Sequence, residues 1–165
     1  MKFNRYLLGS TVVAALGAFL FGFDTAVISG ATEALRHAFQ LSSAQLGFTV
    51  ASALIGTIVG SIGAGRPAEL LGRKRTLMGL AVLYFVSALG CAFAWNWGAL
   101  LIFRFIGGIA IGGTSVVAPM YIAEIAPPEF RGRLVAVTQL NIIVGILTAY
   151  FSNYVIASLF SAPAG

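Results

Sequence analysis

The sequence predicts an all-α membrane protein, and three observations predict it. The 165 residues are 59% hydrophobic and only 9% charged, where a soluble domain carries about 25% charged residues. Mean hydropathy is +0.95, so the chain lacks the polar surface that water would require. The apolar residues also fall into five runs, each near the ~20 residues that cross hydrocarbon as a helix. The basic residues cluster between these runs, where membrane topology needs them. A net charge of +5 could by itself suggest nucleic acid, but that clustering argues against it. The sequence contains no HExxH, no GxSxG and no paired catalytic carboxylates, so an enzyme is not expected. No metal or cofactor is expected either. Cys91, the one cysteine, lies inside an apolar run and is read as an inert buried thiol.

The elements follow in order. Residues 1–5 form a short basic start, and residues 6–30 form the first span, which carries Asp24. A secretory signal has an apolar core of only about 7–15 residues, so this run is too long to be one. Residues 31–43 read as a polar connector with Glu33, Arg36 and a solvated His37. Ser42 followed by Gln45 marks a capped helix start. The second span covers residues 45–64, where Gly56 and Gly60 permit close helix approach. Residues 65–76, GRPAELLGRKRT, read as a short cationic loop. The third span covers residues 77–94. Trp95-Asn96-Trp97 then makes a turn whose tryptophans suit the headgroup layer. The fourth span, residues 98–123, contains Arg104 and Pro119, and the proline is expected to bend it. Pro127-Pro128 and Arg131-Gly132-Arg133 lead into a fifth span at residues 134–157.

The charges set an orientation. Lys2, Arg5, Arg66, Arg73, Lys74, Arg75, Arg131 and Arg133 fall on the side where the chain begins, and Arg36 falls on the other. The positive-inside rule then puts the N-terminus in the cytoplasm. Asp24 lies about three-quarters along an outward helix, and Arg104 about one-quarter along an inward one. Both therefore sit at similar depth. Alone in lipid each would cost several kcal/mol, which makes them a functional hypothesis. Two readings stand at this point. The pair ties two helices permanently, or Asp24 faces a wet cavity and binds and releases a proton under the opposed influences of the cation and of desolvation.

Three stretches carry a resemblance to a known family: Phe21–Gly30 (FGFDTAVISG), Gly65–Arg75 (GRPAELLGRKR), and the run through Ile106, Gly108, Ile109, Gly112, Tyr121, Glu124 and Arg131. The chain resembles the sugar porters of the major facilitator superfamily over essentially its whole length. The resemblance implies the N-terminal half of that fold, truncated after the fifth of twelve helices. It also implies roles. Asp24 matches a position that is aspartate in proton symporters and typically asparagine in passive facilitators. Arg104 matches the arginine that couples to it. Gln139 matches a glutamine that hydrogen-bonds sugar hydroxyls, and Phe21 an aromatic near the sugar ring. Glu124, Arg73 and Arg131 match a charge cluster that closes the cytoplasmic side in the outward-facing state.

Physical chemistry supports these roles. A sugar site needs amides that both donate and accept, and an apolar wall. Gln139 has a simpler alternative as interhelical glue, worth about 0.6 kcal/mol. Asn141, two residues on, points away from the Gln139 face. Near the cytoplasmic end, Glu69 is expected to accept from Arg73 or from a neighbouring helix start, and Glu124 to pair with Arg73 or Arg131. Lys74 and Arg75 serve topology or meet anionic lipid. The loop departs from the family pattern at Glu69, where aspartate is usual, and at Leu70, where a basic residue is usual.

The expected function is transport of a monosaccharide, hexose or pentose, by proton symport and alternating access across the cell membrane. The expected partners are the sugar, the proton, the lipid bilayer and the missing C-terminal half, with no nucleic acid. Such transporters hold substrate between two halves built of inverted three-helix repeats, so this length is expected not to transport alone. The alternatives are a passive sugar or polyol facilitator and a non-transporting membrane fragment.

Overall fold

The computed structural model describes the backbone of residues 5–160 and the side chains of residues 15–130 and 132–159. Six helices run in order: α1 (Arg5–Phe39), α2 (Ser43–Gly63), α3 (Gly65–Leu70), α4 (Arg73–Ala92), α5 (Trp97–Ile125) and α6 (Pro128–Phe160). All except α3 are long and apolar enough to cross a membrane.

Local chemistry sets most helix ends. The Gln45 amide donates to Ser42 Oγ and the Ser42 amide to Gln45 Oε1, closing a capping box at α2. Asn96 Oδ1 accepts from the Ala99 amide and starts α5. Gly72, at φ 85°, supplies the left-handed residue that turns α3 into α4. Ala126 is extended ahead of Pro127, as a residue before proline prefers, and α6 begins at Pro128.

Two expectations need correction. Residues 31–39 are helical and continue α1, where the sequence suggested a connector. They contain no glycine or proline, Ala, Glu, Leu and Arg favour helix, and Glu33 sits 3.2 Å from His37 one turn on. The loop at residues 65–76 is likewise mostly ordered, as α3 and the first turn of α4.

Close glycine contacts give the helix directions. Cβ atoms at Gly56 and Gly60 would overlap the carbonyls of Phe105 and Ile109, and at Gly108 and Gly112 those of Ala53 and Thr57. The helices α2 and α5 are therefore parallel and nearly backbone to backbone. Gly22 against Ile142, Gly145 against Phe19, and Gly30 against Asn153 build a parallel α1–α6 pair in the same way. Ser87 and Gly90 meet Phe103, and Leu80 meets Gly113, so α4 runs antiparallel to α5. The centre is α5, which packs on α2, α4 and α1. Its Ala118, Ile122 and Val117 anchor two small apolar clusters with Leu77 and Leu80 of α4.

Candidate functional site

Two cavities beside the α1–α5 contact hold the polar side chains singled out in the sequence. The first is about 230 Å³ and is lined by Asp24 of α1, by Tyr84, Ser87 and Cys91 of α4, and by Arg104 of α5. The helix α5 can come close to α4 here because Gly107 presses on Ser87, whose hydroxyl donates to the Phe103 carbonyl.

The structure brings Asp24 and Arg104 into one cavity without closing them into an ion pair. The described residues hold two ion pairs, Glu33–His37 and Arg73–Glu124. Arg104 Nε is buried and has no hydrogen-bond partner. Tyr84 of α4 lines the same cavity as Asp24. A permanent tie between helices would close a contact that is open here.

Tyr84 is the residue that sequence reasoning missed. A signal existed: Tyr84, Ser87 and Cys91, at i, i+3 and i+7, put three polar atoms on one face of an otherwise apolar helix. The partner that gives the stripe meaning lies on another helix.

The second cavity is about 300 Å³ and is lined by Phe21, Ser115, Pro119, Thr138 and Gln139. The structure thus brings together the aromatic and the amide singled out in the sequence. Gln139 is exposed and makes no hydrogen bond among the described residues, which leaves its amide available to a solute rather than to a neighbouring helix. Asn141 is committed to its own helix, donating to the Val137 carbonyl at 2.9 Å. Pro119 lacks an N–H, so the Ser115 carbonyl loses its intrahelical donor at the wall of this cavity. The two cavities are offset by about two turns along α1 and about three along α5, on the order of 10–15 Å. Phe21 and Asp24, three residues apart, look into one each.

At the end of the bundle where α4 begins, Arg73 donates from Nε to Glu124 Oε1 at 2.9 Å and from Nη1 to the Ala68 carbonyl at 2.9 Å. Its Nη2 lies 2.9 Å from the same Glu124 oxygen. This contact joins α3, α4 and the last turn of α5. Glu69 does not join it: the residue is exposed and carries no ion pair among the described residues, because Arg73 turns to Glu124 and to the carbonyl beside Glu69. The side chain of Arg131, like Lys2 and the side chain of Arg5, lies outside the described residues.

Comparison with known proteins agrees with this architecture. Residues 10–164 match the family model described as sugar (and other) transporter. A glucose transport protein of Synechocystis is 45% identical over 153 residues, covering 93% of this chain and 33% of that protein. The D-xylose-proton symporter of Escherichia coli is 41% identical, covering 93% of this chain and 37% of the symporter. Among solved structures, the proton:xylose symporter XylE bound to 6-bromo-6-deoxy-D-glucose superposes with a TM-score of 0.87 at 41% identity, covering 96% of this chain and 38% of that one. A partially occluded inward-open form of XylE from Escherichia coli superposes at 0.88. The chain therefore spans about a third of the length of the curated relatives it matches. The family match over residues 10–164 and five apolar helices in the arrangement of a solved transporter place this chain in the sugar transporter family of the major facilitator superfamily.

Proposed function

We propose that this chain forms the N-terminal part of a proton-coupled monosaccharide transporter that works by alternating access. One observation carries the reading: Asp24 and Arg104 share a cavity inside the membrane span without forming a contact pair. A closed pair would be inert, and two separate charges in lipid would be prohibitive. A carboxylate held beside a cation in a wet cavity suits reversible proton binding. In the neighbouring cavity, Gln139 and Phe21 offer an amide and an aromatic wall to a hydroxylated ring. The relatives named for glucose and for xylose support a hexose or a pentose as substrate.

Arg73 and Glu124 act in this reading as a latch. Their contact holds the ends of α4 and α5 together, and parting them favours the opposite access state. The positive-inside rule supports a cytoplasmic side for the end that carries Arg66, Arg73, Lys74 and Arg75, and so for the N-terminus; in this reading the membrane is the cell membrane.

The test is the Asp24→Asn variant of the full-length transporter in proteoliposomes. Sugar-driven proton uptake is expected to vanish while sugar exchange continues. Proton uptake at the wild-type rate would remove Asp24 as the coupling site and leave a passive or differently coupled carrier.

A further inference from the structure

Resting on the monosaccharide reading, we propose that the main-chain carbonyl of Ser115, which Pro119 leaves without its helical donor, is a substrate contact: it accepts a hydrogen bond from one ring hydroxyl of the sugar, on the α5 wall of the cavity that Gln139 lines from α6. In a helix a carbonyl points along the axis toward the amide four residues on, and residues four apart share a face. Ser115 and Pro119 hold those two positions inside α5, and both line the cavity. The carbonyl freed by the proline ring therefore stands in the cavity wall, at a residue that is exposed there. A backbone carbonyl without a donor is costly in hydrocarbon and is tolerated where it borders a wet cavity.

Neighbouring hydroxyls do not take the place of the missing amide. Ser115 Oγ donates back to the Gly112 carbonyl at 2.8 Å, Thr114 Oγ1 to the Ala110 carbonyl at 2.8 Å and Thr138 Oγ1 to the Leu134 carbonyl at 3.2 Å. All three side chains line the cavity, and each spends its only proton on its own helix. The wall therefore offers acceptors. Among the described residues, Gln139 is the one lining side chain with protons to give, and no charged side chain lines the cavity. Such a wall selects a neutral solute that brings several O–H donors. One position of its ring meets a group that can only accept. Hydrogen or fluorine in place of that hydroxyl loses the bond, because neither supplies a proton to the carbonyl.

The experiment measures, by calorimetry on the full-length transporter, the binding of D-glucose and D-xylose and of their monodeoxy and monofluoro-deoxy analogues. Pro119→Ala and Pro119→Gly each return an N–H to position 119, which claims the Ser115 carbonyl for the helix. In wild type, the analogues altered at the hydroxyl that the carbonyl holds are expected to bind about threefold to tenfold more weakly than the parent sugar. In both proline variants that difference is expected to disappear, with the parent sugar weakened by a similar factor and discrimination at the other ring positions retained. Ser115→Ala removes the side chain and keeps the carbonyl, so the difference is expected to persist there. Discrimination unchanged at every position in both proline variants overturns the contact. An equal weakening of the parent and all analogues also overturns it and returns Pro119 to a bend in the helix. Loss of the difference in Ser115→Ala alone overturns it in favour of the hydroxyl. A wild-type transporter that binds neither sugar overturns the monosaccharide reading and this one together.

Discussion

Arg104 Nε is buried without a partner among the described residues, and native proteins seldom leave such an atom unexplained. Its side chain lines the cavity that holds Asp24 and Tyr84, so the unpaired atom belongs to the same hollow as the Asp24 carboxylate. The charges themselves were legible in the sequence, because an aspartate and an arginine stand out in apolar runs. Their separation was not: whether two side chains at one depth touch depends on rotamers and on a third helix. Gln139 was singled out through the family resemblance. Its amide makes no hydrogen bond among the described residues, which supports a solute contact over glue. Each hydrogen bond from Gln139 to a hydroxyl is worth about 0.5–1.5 kcal/mol. Gln139→Ala is therefore expected to weaken sugar binding about threefold to tenfold by calorimetry on the full-length transporter. Melting should stay close to wild type, since no helix contact is lost. Unchanged affinity would return Gln139 to a structural role.

Helices were read more surely than their ends. Ser42 and Gln45 declared the start of α2, because capping chemistry is local and visible in four residues. The extension of α1 to Phe39 was missed because polarity was taken as the end of a span, whereas a helix ends only where a breaker or a cap stops it. At 35 residues, α1 is about 50 Å long and outreaches a ~30 Å hydrocarbon core, so its last turns, with Glu33 and His37, stand beyond the lipid. The glycines show the same division. A small-residue spacing announces close packing, but not the partner. Gly108 faces the Ala53 backbone, while Gly79 faces open space. Gly108→Ala is expected to cost on the order of 1–3 kcal/mol, as overpacking does, and to lower the melting temperature in detergent. Gly79→Ala should leave it unchanged or raise it, since alanine favours helix. Equal effects at the two positions would refute the backbone-to-backbone α2–α5 contact.

The whole molecule shows a symmetry in its helix pairs. The pair α1–α6 and the pair α5–α2 are both parallel and both closed by glycine against backbone. Each joins the first span of one three-helix unit to the second span of the other, as an inverted repeat requires. The two cavities that hold Asp24 and Gln139 lie beside the contact between α1 and α5, the first spans of the two units. This placement was out of reach of a linear reading, because it depends on which distant helices pair. The central claim is that Asp24 stands in a wet hollow next to a cation, within the span of the membrane. The direct measurement is labelling of Asp24→Cys, in a Cys91→Ala background, by a membrane-impermeant anionic thiol reagent on the full-length transporter in vesicles. The account predicts modification from the aqueous phase, slowed when saturating sugar holds the groove closed. A cysteine at position 24 that stays inert from both sides of the membrane, with and without sugar, would contradict it.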